Sequence, residues 1–334
     1  MCVLAAFFIA AFSLSLSSLG LGFRTRSADR VFCMRAYLTG GDGFVGMFMQ
    51  ELLRANNDEI TAPFIDLADK DTLRQSFVDA RPDVIYHLAG QASVDLSWGD
   101  SSETFAVNAV GTLHVVEAAA SLQHQPRVIV VSSGEVYGSV AANECPVAED
   151  RMPAPLNPYG ASKVAAEVVA LQTWRGRGLP VIVTRPFNHV GPGQSPGFLV
   201  SAVAKRVAEA ERDRTDEITV GNLAAVRDFS NVRDIVRAYR ALAVSGVPGR
   251  TYNVGSGIGT PVRQVVEYLL SLAKRPMRMC IDPSLARPSD TPVLVADVTL
   301  IKRDTAWEPS FGLDDAVTET LEWWRERVTA QEPA

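Results

Sequence analysis

Five residues with a strand pattern, Arg35 to Thr39, run directly into Gly40-Gly41-Asp42-Gly43-Phe44-Val45-Gly46 and then into a helical pattern that lasts to about Ala55. No other stretch restricts the fold as strongly. Glycines at 40, 43 and 46 permit a tight turn from strand to helix, close approach of the backbone to a pyrophosphate, and close packing of helix on strand. A glycine triplet in a loop means little, but one set between a strand and a helix reads as a cofactor loop. Gly40, Gly43 and Gly46, with Phe44 and Val45 between them, are therefore the first candidate cofactor contacts.

The pattern then repeats. A second strand is expected at about Glu59 to Phe64, ending where an adenosine ribose would lie. An acidic residue there favours NAD and a basic one favours a 2′-phosphate, and near Phe64 there is neither. Asp66-Leu67 suits an adenine contact or a turn. Asp83 to Leu88 reads as a third strand, with Leu88 at its end, running into Ala89-Gly90-Gln91-Ala92, where small residues let a cofactor lie across the strand ends. Glu103 to Ser121 reads as a long apolar-periodic helix containing Asn108, and Arg127 to Ser132 as a fourth strand with a β-branched run at its centre. Strand alternating with helix implies a doubly wound parallel sheet, an α/β fold in which ligands bind beyond the carboxyl ends of the strands.

Two segments that follow carry chemistry. Ser132-Ser133-Gly134-Glu135-Val136-Tyr137-Gly138 sits at the end of the fourth strand. Asn157-Pro158-Tyr159-Gly160-Ala161-Ser162-Lys163 has Asn157 as an N-cap and Pro158 at the first helical position, which stacks Tyr159 and Lys163 on one helical face. A free tyrosine titrates near ~10, and a cation within ~4–6 Å is expected to draw it toward neutrality, as a general acid needs.

The formal net charge of −6 argues against a nucleic-acid partner, so any phosphate site must be local. Cys2, Cys33, Cys145 and Cys280 lack metal-ligand spacing and are expected to be reduced; no metal is expected. Val3 to Gly22 is an uncharged apolar run followed by Arg24, Arg26 and Arg30. Met34 to Gly40 reads as a natural start, so residues 1–33 are taken as an over-extended start, with a signal, anchor or transit peptide as the alternative.

The glycine triplet, Ser133 and the Tyr159/Lys163 pair, in that order and spacing, resemble the extended short-chain dehydrogenase/reductase family over essentially all of Met34 to about Val328. The resemblance implies a Rossmann domain, here residues 34–185, and a smaller carboxyl-terminal lobe for a nucleotide sugar, mainly 186–330 with some segments returning to the Rossmann domain. It implies that Tyr159 is the proton donor or acceptor, that Lys163 lowers its pKa and binds the nicotinamide ribose, and that Ser133 holds the substrate oxygen. The cofactor is then NAD(P)H, with the preference open. Arg185 to Gln194, with Phe198 beyond, is similar to the family's GDP-mannose branch. Asn188 is accordingly expected at the sugar diphosphate, Arg227, Arg287 and Asp290 at the nucleotide, and Lys205 near them; arginine's planar fork suits phosphate oxygens. His189 beside a tight turn reads as a packed core residue.

Within that branch, water elimination across the sugar's C5 and C6 needs an acid and a base beyond the tyrosine, and Gly134 supplies none while Glu135 remains. The pattern therefore resembles the branch's reductases, which implies NAD(P)H-dependent reduction of the C4 ketone of GDP-4-dehydro-6-deoxy-D-mannose. Dehydration of GDP-mannose, with Glu135 as a catalytic residue, stays open, as do another NAD(P)-dependent nucleotide-sugar epimerase or dehydratase and a non-catalytic cofactor-sensing protein of the same fold. The resemblance also implies a homodimer formed through helices Glu103 to Ser121 and Pro158 to Trp174. The expected location is the cytoplasm, with a membrane involved only if residues 1–33 are retained.

Overall fold

The computed structural model describes residues 33–282, 285 and 291–330; the apolar amino-terminal run, Arg287 and Asp290 lie outside the described residues. Its first half comprises β1 (Arg35–Thr39), α1 (Phe44–Ala55), β2 (Glu59–Thr61), α2 (Lys70–Ala80), β3 (Val84–His87), α3 (Val94–Gly99), α4 (Ser101–Phe105), a π-helical turn (Ala106–Val110), α5 (Gly111–Ala120) and β4 (Arg127–Val131). It continues with α6 (Pro158–Arg177), β5 (Val181–Pro186), β6 (Asn188–Val190), α7 (Leu199–Asp213), β7 (Glu217–Val220), β8 (Val226–Asn231), α8 (Val232–Ser245) and β9 (Thr251–Val254). The remaining elements are β10 (Gly259–Pro261), α9 (Val262–Ser271), β11 (Arg278–Ile281), β12 (Val293–Leu294), α10 (Thr299–Thr305) and α11 (Leu313–Ala330).

Strands buried on both faces carry apolar residues on both, and this sheet does so by strict alternation. Tyr37, Ile85, Val128, Val130, Val181 and Val183 point into one layer, where Leu73 and Phe77 of α2 and Val115 and Val116 of α5 meet them. Ala36, Leu38, Val84, Tyr86, Ile129 and Ile182 point into the other, against Met49 and Leu53 of α1 and Ile235, Tyr239 and Leu242 of α8. The strand order is β2-β1-β3-β4-β5-β9 with every pairing parallel, which is the doubly wound Rossmann-like sheet the alternation implied. Order reverses between β1 and β3, so the crevice for a ligand opens there.

A second cluster, separate from both layers, joins Val190, Phe229, α7, α9 and α11 around Val203, Val207, Val265, Leu269 and Leu321. Its strands are β10-β8-β12, with β6 on β8, and a parallel β11-β7 pair. β9 returns to the six-stranded sheet beside β5.

Two elements differ from their sequence patterns. β2 ends at Thr61 rather than Phe64, because Pro63 has no N–H to give a ladder; Phe64 is left 89% exposed. The helix expected over Glu103 to Ser121 is broken by the π turn at Ala106–Val110. Such turns insert one extra residue and concentrate at functional sites. Beyond it, Gly111 lies so close to Leu67 that a Cβ there would be 2.9 Å from Leu67 Cδ1. Among the described residues no helix is long and apolar enough to cross a membrane.

Candidate active site

β1 delivers the chain to Gly40 at φ +69°, a conformation side chains rarely adopt, and a Cβ there would lie 2.7 Å from Ala89 N. The loop after β1 is thus in van der Waals contact with the loop after β3. A Cβ on Gly46 would fall 2.3 Å from Gly40 O and 2.6 Å from Gly41 O, so helix α1 can begin this close to its own strand only with glycine there. Gly43, the N-cap, makes no side-chain cap bond, so the first-turn N–H groups of Phe44, Val45 and Gly46 carry the free partial charge of the helix end. This cradle suits a dinucleotide pyrophosphate.

Behind the crevice runs a buried chain of hydrogen bonds. Ala89 N–H donates to Thr39 Oγ1 (3.3 Å), Thr39 meets His87 Nδ1 (2.8 Å), His87 Nε2 meets Thr112 Oγ1 (3.0 Å), and Thr112 donates to the Asn108 carbonyl (2.6 Å). Because the Thr112 proton is used on Asn108, His87 Nε2 donates, and in the neutral ring Nδ1 accepts from Thr39 Oγ1. Burial, helped by the Lys163 charge, pushes its pKa down to about 3. The Asn108 side chain in turn accepts from Gln91 N (2.9 Å) and donates to Gln91 O (3.0 Å) and Ser162 Oγ (2.9 Å). Sequence reasoning gave Asn108 no role; its one signal was a lone amide inside an apolar stretch.

The candidate reacting cluster lies at the carboxyl end of β4. Ser133 caps a short 3₁₀ turn, Gly134–Tyr137, by accepting from Glu135 N (3.1 Å). Asn157 caps α6 by accepting from Gly160 N (2.7 Å), with Pro158 at the first helical position, and its amide also donates to Glu135 Oε2 (3.1 Å). That latch sets the start of α6 against the turn. Ser133, Tyr159 and Lys163 are each buried, and Ser133 lies near enough to Tyr159 to act on its phenol. Lys163 Nζ donates to Val131 O (3.0 Å), lies 5.9 Å from the Tyr159 ring centroid, and would be 3.3 Å from a Cβ on Gly90. The structure therefore brings Ser133, Tyr159, Lys163 and Gly90 together.

The electrostatics correct one expectation. Tyr159 is not drawn toward neutrality: burial pushes its phenol up to about 12, the neighbouring Ser133 side chain opposes this and the Glu135 charge adds to it. Desolvation outweighs a cation held at this distance and partly spent on Val131 O. At neutral pH the phenol is a proton donor. Lys163 itself is pushed down to about 8 by burial, against the pull of the Glu167 carboxylate.

Of the remaining candidates, Leu88 N–H donates to Thr39 O (3.2 Å). Asp66 is exposed, and its side chain accepts from Ala68 N (2.9 Å) to close a turn, while Leu67 is buried with its carbonyl on His114 Nδ1 (2.6 Å). Asn188 is exposed at the start of β6, opposite Phe229 of β8. Arg227 sits on β8 between Thr260 and Leu294 and donates to Val226 O (3.1 Å). Lys205 lies 3.6 Å from Glu209 and 5.5 Å from the Trp324 ring centroid, engaged between α7 and α11. His189 is packed, as its setting suggested: it stacks on Phe44 at 5.9 Å, meets the Phe187 carbonyl (3.0 Å), and has its pKa lowered by burial.

Residues 54–320 match the family model for GDP-mannose 4,6-dehydratase. The chain belongs to this family. Among its relatives is the GDP-6-deoxy-D-mannose reductase of Pseudomonas aeruginosa, 33% identical over 88% of this chain and 98% of the relative. The dTDP-glucose 4,6-dehydratase of Neisseria meningitidis is 28% identical over 82% of this chain and 81% of that one. A solved structure of RMD from Pseudomonas aeruginosa complexed with NADPH superposes with a TM-score of 0.82 at 32% identity, covering 88% and 99% of the two chains. UDP-glucose 4-epimerase from Thermotoga maritima, solved with UDP-glucose, gives 0.79 at 26% identity over 88% and 99%. The family match thus runs from the end of α1 into α11, within the extended short-chain dehydrogenases/reductases that the motifs resembled.

Proposed function

We propose that this chain reduces the C4 ketone of GDP-4-dehydro-6-deoxy-D-mannose with NAD(P)H, giving GDP-D-rhamnose. The observation that carries the reading is the buried cluster of Ser133, Tyr159 and Lys163, with the Lys163 ammonium 5.9 Å from the Tyr159 ring and against Gly90 beside the glycine cradle, in a chain similar along its length to a GDP-6-deoxy-D-mannose reductase.

Bound in the cradle with its pyrophosphate at Gly40, Gly43 and Gly46, the cofactor supplies the hydride. Phe44, Val45, Leu88, Ala89, Gly90, Asp66 and Leu67 are the further contacts assigned to it. Ser133 donates a hydrogen bond to the substrate's C4 oxygen and so favours charge developing there. Tyr159, a neutral phenol, gives that oxygen its proton. Lys163 sits beside Tyr159, assigned to the nicotinamide ribose as well, and stabilises the phenolate left behind. Asn188, Arg227, Arg287 and Asp290 are assigned to the GDP portion, with Lys205 at its edge. We further propose a cytoplasmic homodimer paired through α4–α5 and α6, where Val168 is 60% and Val110 45% exposed.

Glu135 favours a second reading, 4,6-dehydration of GDP-mannose, because its carboxylate is latched by Asn157 beside Tyr159 rather than free in solvent. An assay with enzymatically generated GDP-4-dehydro-6-deoxymannose, comparing NADH with NADPH and resolving the C4 epimers, tests the first reading. Accumulation of the 4-keto sugar from GDP-mannose, with no reduction of it, replaces the first reading with the second.

A further inference from the structure

Behind the reacting cluster lies a buried ion pair that the proposed chemistry leaves unused. Glu167 is one helical turn beyond Lys163 and two beyond Tyr159 on α6, so all three share a face. Arg185 of β5 grips its carboxylate with both arms, Nε to Oε1 at 2.9 Å and Nη2 to Oε2 at 2.7 Å, and both side chains are only 5% exposed. Ser132, the residue before Ser133, donates to the same Oε1 at 2.5 Å. Arg185 Nη1 reaches Tyr137 Oη (2.9 Å) at the far end of the 3₁₀ turn and the Glu149 carbonyl (3.2 Å), with its guanidinium 4.8 Å over the Tyr137 ring. Tyr137 Oη in turn donates to Asn253 Oδ1 (2.7 Å) on β9. The segment bearing Ser133, Gly134 and Glu135 is consequently held at both ends by one carboxylate–guanidinium unit, and the carboxylate belongs to the helix bearing Tyr159 and Lys163.

Resting on the reading of Ser133, Tyr159 and Lys163 as the reacting cluster, we propose that Glu167 is a positioning residue: paired with Arg185, it fixes the Ser132–Tyr137 turn in register with α6 and keeps an anion one turn from the Lys163 ammonium. A buried pair contributes little net stability for its desolvation and is well suited to fixing a single arrangement. The titratable and charged groups around the unit are Lys163 and Tyr159 on its own helix, Arg185 from β5, Glu135 and Tyr137 from the turn after β4, Glu149 from the loop before α6, and His87 from β3. Among all the charges in this region, the Glu167 carboxylate is the one that opposes the loss of the Lys163 proton to burial.

Two variants of the full chain separate the tie from the charge. Ser132→Ala removes one hydrogen bond and leaves the ion pair intact; it is expected to lower kcat roughly tenfold while both KM values stay within about twofold. Glu167→Gln removes the anion, and the Lys163 line, followed by NMR on the [ε-¹³C]lysine-labelled protein and assigned with Lys163→Met among its five lysines, is expected to titrate roughly one pH unit lower. Parental kcat in Ser132→Ala, or a Lys163 midpoint unmoved in Glu167→Gln, overturns the proposal; should Glu167→Gln not fold, Ser132→Ala decides. If the parent reduces no GDP-linked sugar, the functional reading fails while the lysine titration still decides the role of Glu167.

Discussion

Replacing Lys163 with methionine separates function from stability, because the same burial that serves the site works against the fold. In the folded protein the ammonium has a pKa of about 8, against 10.5 for the free side chain. At about 1.36 kcal/mol per pH unit, that difference corresponds to about 3 kcal/mol of destabilisation wherever both folded and unfolded chains are protonated. The sign follows from the direction of the shift. Below pH 8 both states hold the proton and the folded state bears the whole penalty. Between pH 8 and 10.5 the folded state releases the proton while the unfolded chain keeps it, so this group's contribution to stability rises with pH and the penalty disappears near 10.5. Methionine keeps a long apolar stem in the same space and carries no charge; it also gives up the bond to Val131 O, worth about 1 kcal/mol net. Lys163→Met is therefore expected to be about 2 kcal/mol more stable near neutral pH, which corresponds to a Tm rise of about 3 °C in a chain of this size. That gain should vanish near the top of the range. Urea unfolding of both proteins at several pH values measures this, beside a reductase assay in which the variant should be strongly impaired. A variant no more stable than the parent at neutral pH, or a gap that widens as pH rises, refutes the reasoning.

Four other outcomes follow from the same geometry. Tyr159→Phe should lower turnover at least ~10²-fold with the fold and cofactor affinity retained, measured by steady-state kinetics and cofactor titration. Gly46→Ala must push backbone apart from a 2.3 Å contact, so it should lose cofactor binding and unfold at lower temperature, read by fluorescence titration and thermal melting. Gly134→Ala should be tolerated in both respects, because a Cβ there meets the Phe187 ring only at 3.4 Å. His87 is held neutral to about pH 3 in the fold while the unfolded ring takes a proton near 6.5, so stability should fall on acidification below about 6.5, by about 2–3 kcal/mol at pH 4.5 from this group alone. Isosteric His87→Gln should flatten that part of the stability profile.

The strands and the cradle were legible because they are written locally. Alternation of apolar residues in Arg35–Thr39 and Arg127–Val131 needs no knowledge of partners, and glycines at 40 and 46 announce backbone contacts that exclude a side chain. The Asn157 cap and Pro158 likewise placed Tyr159 and Lys163 on one helical face. The break in the helix at Ala106–Val110 was not legible, since the periodicity stays apolar through it and its reason, the reach of Asn108 to Gln91 and Ser162, spans elements distant in the chain. Nor was the Glu167–Arg185 pair, whose members are ordinary charged residues until β5 is laid against α6.

By itself, the sequence determined the parallel α/β plan, the crevice beside β1 and the candidates for the reacting side chains, because hydrophobic period, turn chemistry and helix spacing are properties of neighbouring residues. Only the tertiary structure decided the protonation of that cluster. Burial is a property of everything packed around a group, and it leaves Tyr159 a neutral donor near 12, Lys163 near 8 and His87 a neutral link near 3, values no local spacing of tyrosine, lysine and histidine could have assigned.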